Sequence, residues 1–419
     1  MDKLAQYNKN LIKNIELLET EFFPKLVDLD SIDSILRSIL PLKEMREAGC
    51  FFTGEDLSLK TIDSFFESIS SQSIILDPTC GAGNLLIACS RKLEVKNTLS
   101  ETLESWGHIL RGYDLYTAFV TTAKLRIIIE ALNRGAMSDC TIDDALELLP
   151  FIQTKDAMTT TSEDVRKITH IIMNPPFNSW PSPTIDYWKK GKVNSAGVIF
   201  DHYLRILPTH CNISAILPDV LRSGSRYHSF RDFISSEMKA FCEIYGRFNS
   251  QTDVDVFILS GIKNKNNLRK IEWSINLGNY TPLSELFDVR IGPLVAYRDP
   301  QEGDKHPYFH AKNSIAWSEI SIATEFRKFL GKAITPPFVL IKRTSSPSDK
   351  YRASATLINL SEPVAVENHM IVLTPKTGSL NDCRKLMTIL KSEKTNQFLN
   401  SRARMRHLTV NTVKEIPID

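Results

Sequence analysis

The run Ile171-Ile172-Met173-Asn174-Pro175-Pro176-Phe177 carries an apolar, strand-like stretch straight into two prolines and an aromatic ring. Proline fixes φ and has no N–H to donate. The carbonyl of Pro175 is therefore held in place, and the amide oxygen of Asn174 can point beside it. Two acceptors fixed together can bind both hydrogens of one –NH2 group. That grip steers the nitrogen lone pair out of conjugation and toward an electrophile, while Phe177 offers a face to a flat base. The bland alternative is a proline turn that ends a strand.

A second set of residues suits a charged small molecule. Ile74-Ile75-Leu76-Asp77-Pro78-Thr79-Cys80-Gly81-Ala82-Gly83-Asn84 reads as a buried strand, a tight glycine turn and an apolar helix from Leu85. Gly81 and Gly83 let the backbone turn and approach a ligand closely. The carboxyl end of a parallel strand is where doubly wound sheets bind ligands. No Lys-Ser/Thr follows the glycines, and Asp77 would repel a phosphate, so this is no phosphate loop. A cationic or zwitterionic ligand fits better. Asp114 ends the run Leu110-Arg111-Gly112-Tyr113, where a carboxylate can accept from both hydroxyls of a ribose. It lies 31 residues after Gly83, against roughly 20 in dinucleotide folds, so extra helix and loop are expected around residues 97–105. Asp156, at a third strand end, suits an exocyclic adenine amine or, equally, a solvated loop.

These side chains need a sheet to hold them. Residues 1–48 read as helical, with apolar faces at Leu11, Ile12, Ile15, Leu17, Leu18 and at Ile32, Ile35, Leu36, Ile39. From 74 to about 260, short β-rich runs alternate with helical stretches, the pattern of a mostly parallel sheet with helices on both faces. Asn264-Lys265-Asn266-Asn267 marks a boundary. Beyond it, Phe338 to Ile341, Met370 to Leu373 and a last helix from near Asp382 predict an α+β module. The expected domains are 1–48, 49–263 and 264–419.

Composition narrows the class. With 42% hydrophobic and 24% charged residues among 419, the chain can bury a full core, which excludes a disordered or fibrous protein. No run approaches the roughly 20 apolar residues of a membrane helix, and the polar start is no signal peptide. Seven cysteines stand singly without a C-x-x-C pair, arguing against a disulfide framework or a zinc site and for a cytoplasmic protein that needs no metal. Residues 1–261 carry 27 Lys+Arg against 34 Asp+Glu, a net −7, and residues 262–419 carry 24 against 15, a net +9. A basic second module suits a polyanion.

The order Phe51-Phe52-Thr53-Gly54, then Asp77 to Gly83, then Asn174-Pro175-Pro176-Phe177 resembles the gamma class of S-adenosylmethionine-dependent DNA adenine-N6 methyltransferases of restriction–modification systems. The motifs cover roughly residues 45–260, and the remainder matches by position. Gly54 replaces the family's usual proline, and the stretch before Asp114 is long. The resemblance implies an α/β fold: a Rossmann-like methyltransferase sheet with helices on both faces, an N-terminal helical segment and a C-terminal α+β target-recognition domain. It implies S-adenosylmethionine as cofactor and double-stranded DNA as substrate. A cognate restriction endonuclease or a defence-system subunit is a possible partner, and no membrane is involved. Thr53 would cover the methionine end of the cofactor. Asp77, Pro78, Gly81 and Gly83 would hold its amino-acid moiety, Asp114 its ribose and Asp156 its adenine. Asn174 and Pro175, shaped by Pro176, would bind the target amine, with Phe177 and Phe248 stacking on the base.

No metal or covalent nucleophile is required, because the sulfonium is already a strong methyl donor. The base must leave the duplex first. Lys189, Lys190 and Lys192 beside Trp188, and Arg298, Arg343 and Arg352 in the basic module, are candidate DNA contacts. The lack of a Pro-Cys dipeptide argues against methylation of cytosine C5, which uses a cysteine thiolate typically placed after proline. RNA or protein-amide methylation, cytosine N4 methylation and a non-catalytic DNA-recognition subunit remain as alternatives.

Overall fold

Burial at every position of Ile75–Asp77 (β1) puts this short strand in the middle of the sheet. The computed structural model describes residues 2–39, 45, 53–184, 187–249, 252–264, 271–274 and 278–418. Phe51, Phe52 and residues 265–267 of the expected boundary lie outside the described residues. The chain divides into two units, Met1–Trp273 and Ser274–Asp419, so the division falls after residue 273 and keeps the N-terminal segment with the first unit.

The strands that follow β1 in the first unit are Leu110–Asp114 (β2), Ile152–Thr154 (β3), His170–Met173 (β4), Ser179–Pro181 (β5), Lys192–Asn194 (β6), Asn212–Pro218 (β7), Met238–Asn249 (β8) and Thr252–Lys263 (β9). Seven of them form one sheet in the order β3-β2-β1-β4-β7-β9-β8. The first five run parallel, and β9 is antiparallel to both β7 and β8. Ile75, Ile172, Ile216 and Ile258 point into one core. Leu76, Ile171, Met173, Ala215, Leu217 and Leu259 point into the other. A sheet apolar on both faces must be covered by helices twice.

Those helices are Asp2–Glu16 (α1), Phe23–Val27 (α2), Ser31–Ile39 (α3), Glu55–Asp63 (α4), Asn84–Ser90 (α5), Leu99–Ile109 (α6), Thr117–Asn133 (α7), Ile142–Glu147 (α8), Ser162–Val165 (α9), Ser195–Ile206 (α10), Asp219–Ser223 (α11) and His228–Glu237 (α12). Helix α6, capped by Thr98 accepting from the Glu101 N–H, occupies the long interval before Asp114. The N-terminal helices are bolted to α7: Asn8 Nδ2 donates to Ala118 O (2.9 Å), and Thr122 Oγ1 donates to Asn8 Oδ1 (2.7 Å). The pairing of β8 with β9 slips between Ile244 and Gly246, and Gly246 takes φ 104°. Such a bulge flips the faces that follow it, which turns Phe248 inward.

In the second unit, Phe287–Ile291 (β10), Asp304–Phe309 (β11), Glu319–Ile320 (β12), Phe326–Phe329 (β13), Phe338–Lys342 (β14), Ala355–Ile358 (β15), Ala365–Val366 (β16) and Met370–Pro375 (β17) build two sheets. Their orders are β10-β17-β14-β15-β12 and β13-β11-β16. Strand alternation sends Val339, Ile341, Ile371 and Leu373 toward the helices Leu380–Leu390 (α13), Glu393–Arg402 (α14) and Val410–Lys414 (α15). Phe338, Leu340, Met370 and Val372 pack on the other side with Phe309 and Val366. The helix expected near Asp382 is thus the first of three. Among the described residues, no helix is long and apolar enough to cross a membrane.

Candidate active site

Four neighbouring parallel strands deliver one polar side chain each to the same end of the sheet. Asp77 closes β1 and is 1% exposed, its Oδ1 accepting from the Thr79 N–H at 3.0 Å. Asp114 closes β2, with Oδ2 accepting from Gly81 N (3.2 Å) and Oδ1 from Tyr116 N (2.9 Å), so it also ties the glycine turn to its neighbour strand. Asp156 follows β3, exposed, and accepts from Met158 N at 2.9 Å. Asn174 follows β4. Gly81 and Gly83 take φ 51° and 84°, the left-handed region that glycine enters without strain. A Cβ on Gly83 would sit 3.0 Å from the Ala123 Cβ of α7, so this glycine serves close packing.

A cleft of about 820 Å³ opens there, lined by Thr53, Asp77, Pro78, Gly81, Asp114, Asp156, Asn174 and Pro176. The glycine turn and the Asn-Pro-Pro-Phe turn, 91 residues apart in sequence from Gly83 to Asn174, face one another across it. Gly83, Pro175, Phe177 and Phe248 are not among the residues that line it, and Phe248 lines a separate hollow with Gly54 and Tyr245. Asn84, Lys155, Met158, Trp180 and Ile199 also line the cleft and escape sequence reasoning, because nothing local distinguishes them.

The cleft's electrostatics follow from burial. Desolvation pushes the Asp77 carboxyl up to about 7, opposed by the Thr79 N–H bond and reinforced by the nearby charge of Asp114. Desolvation likewise raises Asp114 to about 6, against its two backbone bonds. Two acids held in a partly dry cleft favour a cationic occupant, which would restore their ionised forms. This donor set fits S-adenosylmethionine, with its sulfonium, ammonium and ribose. The same burial raises the Cys80 thiol well above its usual value, so it is no thiolate nucleophile.

The opposite wall is neutral and pinned. Asn174 Nδ2 donates to Thr53 Oγ1 at 3.0 Å, which turns the amide oxygen the other way. Ser195 Oγ donates to Pro176 O (2.5 Å), Asn194 Nδ2 to Phe177 O (3.2 Å) and Ser195 N to Asn178 O (2.9 Å). Asn194 also caps α10 through Ala196 N. An Asn-Ser pair before an apolar helix is a legible cap, but its grip on the proline turn is not. Phe177 meets Phe248 edge to face, with centroids 5.9 Å apart and planes at 87°, and Phe248 is 5% exposed. The two rings contact each other rather than flanking a slot, so a base between them requires one to move.

The segment after Phe177 is a hairpin, Trp180 of β5 opposite Val193 of β6. Trp188 packs against Tyr187, Tyr227 and Phe230, which makes it an anchor and leaves Lys189, Lys190 and Lys192 exposed. Arg226 donates to the carbonyls of Lys189 (2.7 Å) and Lys190 (2.9 Å). In the second unit, Arg298 is exposed beside Asp299, and Arg343 is half-buried. Arg352 requires a correction. It is fully buried and donates to Ser345 Oγ, Asn400 Oδ1, Ala403 O and Met405 O. Its charge holds α14 to the sheet and is not available to a phosphate.

The sheet order and the cleft at the carboxyl ends of its parallel strands define a Rossmann-like α/β domain. Residues 35–207, somewhat under half of the chain, match the model of the N-6 DNA Methylase family. Among solved structures, the type IIL restriction-modification enzyme MmeI in complex with DNA is similar at TM-score 0.56 and 12% identity, over 93% of this chain and 70% of that one. The type IIG restriction endonuclease BpuSI aligns at TM-score 0.49 and 13% identity, over 93% of this chain. This chain spans 61% of the length of BpuSI. A modification subunit of a type I restriction enzyme from Vibrio vulnificus YJ016 aligns over 58% of this chain at 14% identity and TM-score 0.39. No curated protein matches by sequence.

Proposed function

We propose that the chain is a site-specific DNA methyltransferase that moves a methyl group from S-adenosylmethionine to N6 of an adenine extruded from duplex DNA, within a restriction–modification or defence system. One observation carries this reading: the acidic strand ends Asp77, Asp114 and Asp156 line the same cleft as Asn174 and Pro176 of the Asn-Pro-Pro-Phe turn. Bound there, S-adenosylmethionine supplies an electrophilic methyl group. Asp77 and the glycine turn take its amino-acid end, Asp114 its ribose, Asp156 its adenine amine, and Thr53 covers the methionine side. Asn174 Oδ1 and Pro175 O accept the two N–H groups of the target. As the nitrogen gains positive charge, these oxygens hold it more strongly, the preorganised stabilisation that lowers a barrier. Extrusion costs a few kcal/mol, and stacking on Phe177 offsets roughly 1–3 of them. Lys189, Lys190, Lys192, Arg298 and Arg343 contact the DNA backbone or bases.

The test is transfer of tritiated methyl groups to duplex DNA, followed by nucleoside analysis. N6-methyladenine is the expected product. Label confined to RNA or protein, or label in N4-methylcytosine, overturns the reading. Cofactor binding without transfer to any DNA favours a non-catalytic recognition subunit.

A further inference from the structure

Behind the Asn174 amide, a line of buried polar groups runs back to the N-terminal helices. Thr53, which accepts from Asn174 on its hydroxyl, accepts from Asn84 Nδ2 on its carbonyl at 2.7 Å. Asn84 also donates to Leu29 O at 3.1 Å, and its Oδ1 accepts from Arg126 Nη1 at 2.6 Å. Arg126, in the middle of α7, further donates to Ala82 O (2.8 Å), Leu26 O (3.0 Å) and Asp28 O (3.3 Å). Thr53, Asn84 and Arg126 are 2%, 4% and 0% exposed. One guanidinium thus fastens the glycine turn and the segment joining α2 to α3, and through Asn84 it fixes the backbone that presents the Thr53 hydroxyl.

Placement of the Asn174 amide is what this line controls. An asparagine amide has one accepting and one donating end of nearly the same shape. Turned over, Asn174 would set its –NH2 against the –NH2 of the target, donor against donor. In the structure Thr53 Oγ1 accepts from Nδ2, so the oxygen is the end presented to the target; the hydroxyl can also donate, so the line holds the amide in place and does not by itself select its orientation. We propose that Arg126, Asn84 and Thr53 form a positioning relay by which the N-terminal helices set the Asn174 amide for the incoming amino group. The proposal rests on the methyltransferase reading. It adds a role for Thr53 that covering the cofactor does not require, and a reason for the N-terminal helices to be welded to this domain.

The test uses the full chain with Thr53→Val, which keeps the shape and loses the hydroxyl, and Thr53→Ser, which restores it. Thr53→Val is expected to lower kcat about tenfold or more, the scale of one hydrogen bond in a dry site, with cofactor Kd within about twofold; Thr53→Ser returns kcat to near the parent value. Unchanged kcat in Thr53→Val, or a loss that tracks cofactor affinity and is not rescued by serine, overturns the relay. A second readout needs no activity. The side-chain NH2 resonances of Asn174, assigned by their loss in Asn174→Ala, are expected to shift in Thr53→Val and Asn84→Ala and to stay in Thr53→Ser. No shift in either variant overturns the relay. If the parent protein methylates no DNA, the functional reading fails, and the resonances still decide the relay.

Discussion

The two walls of the cleft solve opposite problems. The wall built on β1 and β2 presents carboxyl groups, Asp77 and Asp114, each met by backbone N–H groups. The wall built on β4 presents the Asn174 amide and Pro176, with the turn behind them pinned by Thr53, Asn194 and Ser195. Charge on the first wall suits a cationic donor molecule. Neutrality on the second suits an amine that must arrive uncharged and gain charge only as it reacts. On the proposed function, affinity and chemistry are separated across the cleft: one wall would set how tightly the donor is held, the other how fast the acceptor reacts.

That separation predicts mutants that divide cleanly. Asn174→Ala is expected to lower methyl transfer about 10²–10³-fold, the scale for removing one preorganised hydrogen-bonding group, while calorimetric cofactor affinity changes little. A parallel loss of affinity would erase the distinction between the walls. Asp114→Ala is expected to weaken cofactor binding about 10–100-fold, the loss of a charge-assisted bond; unchanged affinity would mean that the ribose site is elsewhere.

The acidic wall also sets a pH dependence. Folding raises the Asp77 pKa from 3.8 to about 7, so between those values the folded state holds the extra proton. The associated stability is complete below about pH 4 and is lost as pH rises through 7. The melting temperature of the ligand-free protein should fall over that window, and Asp77→Asn should flatten the fall. An equally steep fall in the variant would contradict the burial argument. Smallest of all, Arg343→Ala should weaken DNA binding modestly and reduce the slope of log affinity against log salt by about 1, with the cofactor unaffected. An unchanged slope removes Arg343 from the DNA surface.

Much of the cleft was legible because its motifs are local. A strand, a glycine turn and an apolar helix from Leu85 are adjacent in sequence, and two prolines after β4 need no distant partner to define their shape. The interval before Asp114 was readable as α6 for the same reason. What escaped depends on long-range closure. Arg126 contacts Ala82 and Asn84 over 40 residues away and Leu26 across 100, and no local pattern marks an arginine as buried. Arg352 was misread for that reason, since the carbonyls that take its protons arrive with Ala403 and Met405. The bulge at Gly246 in the edge strand β8 moves the inward side chains from the core that holds Met238 to the one that holds Phe248, so Phe248 was recognisable as an aromatic but not in the core it joins.

The central claim concerns two oxygens and one nitrogen, and the most direct measurement is a crystal structure with a cofactor analogue and a duplex carrying the methylated sequence. The account predicts an extruded adenine with N6 within about 2.6–3.2 Å of both Asn174 Oδ1 and Pro175 O, the range of a productive hydrogen bond, and the analogue beside Asp77 and Asp114. An adenine left in the duplex, or one seated with N6 out of reach of that pair, would contradict it.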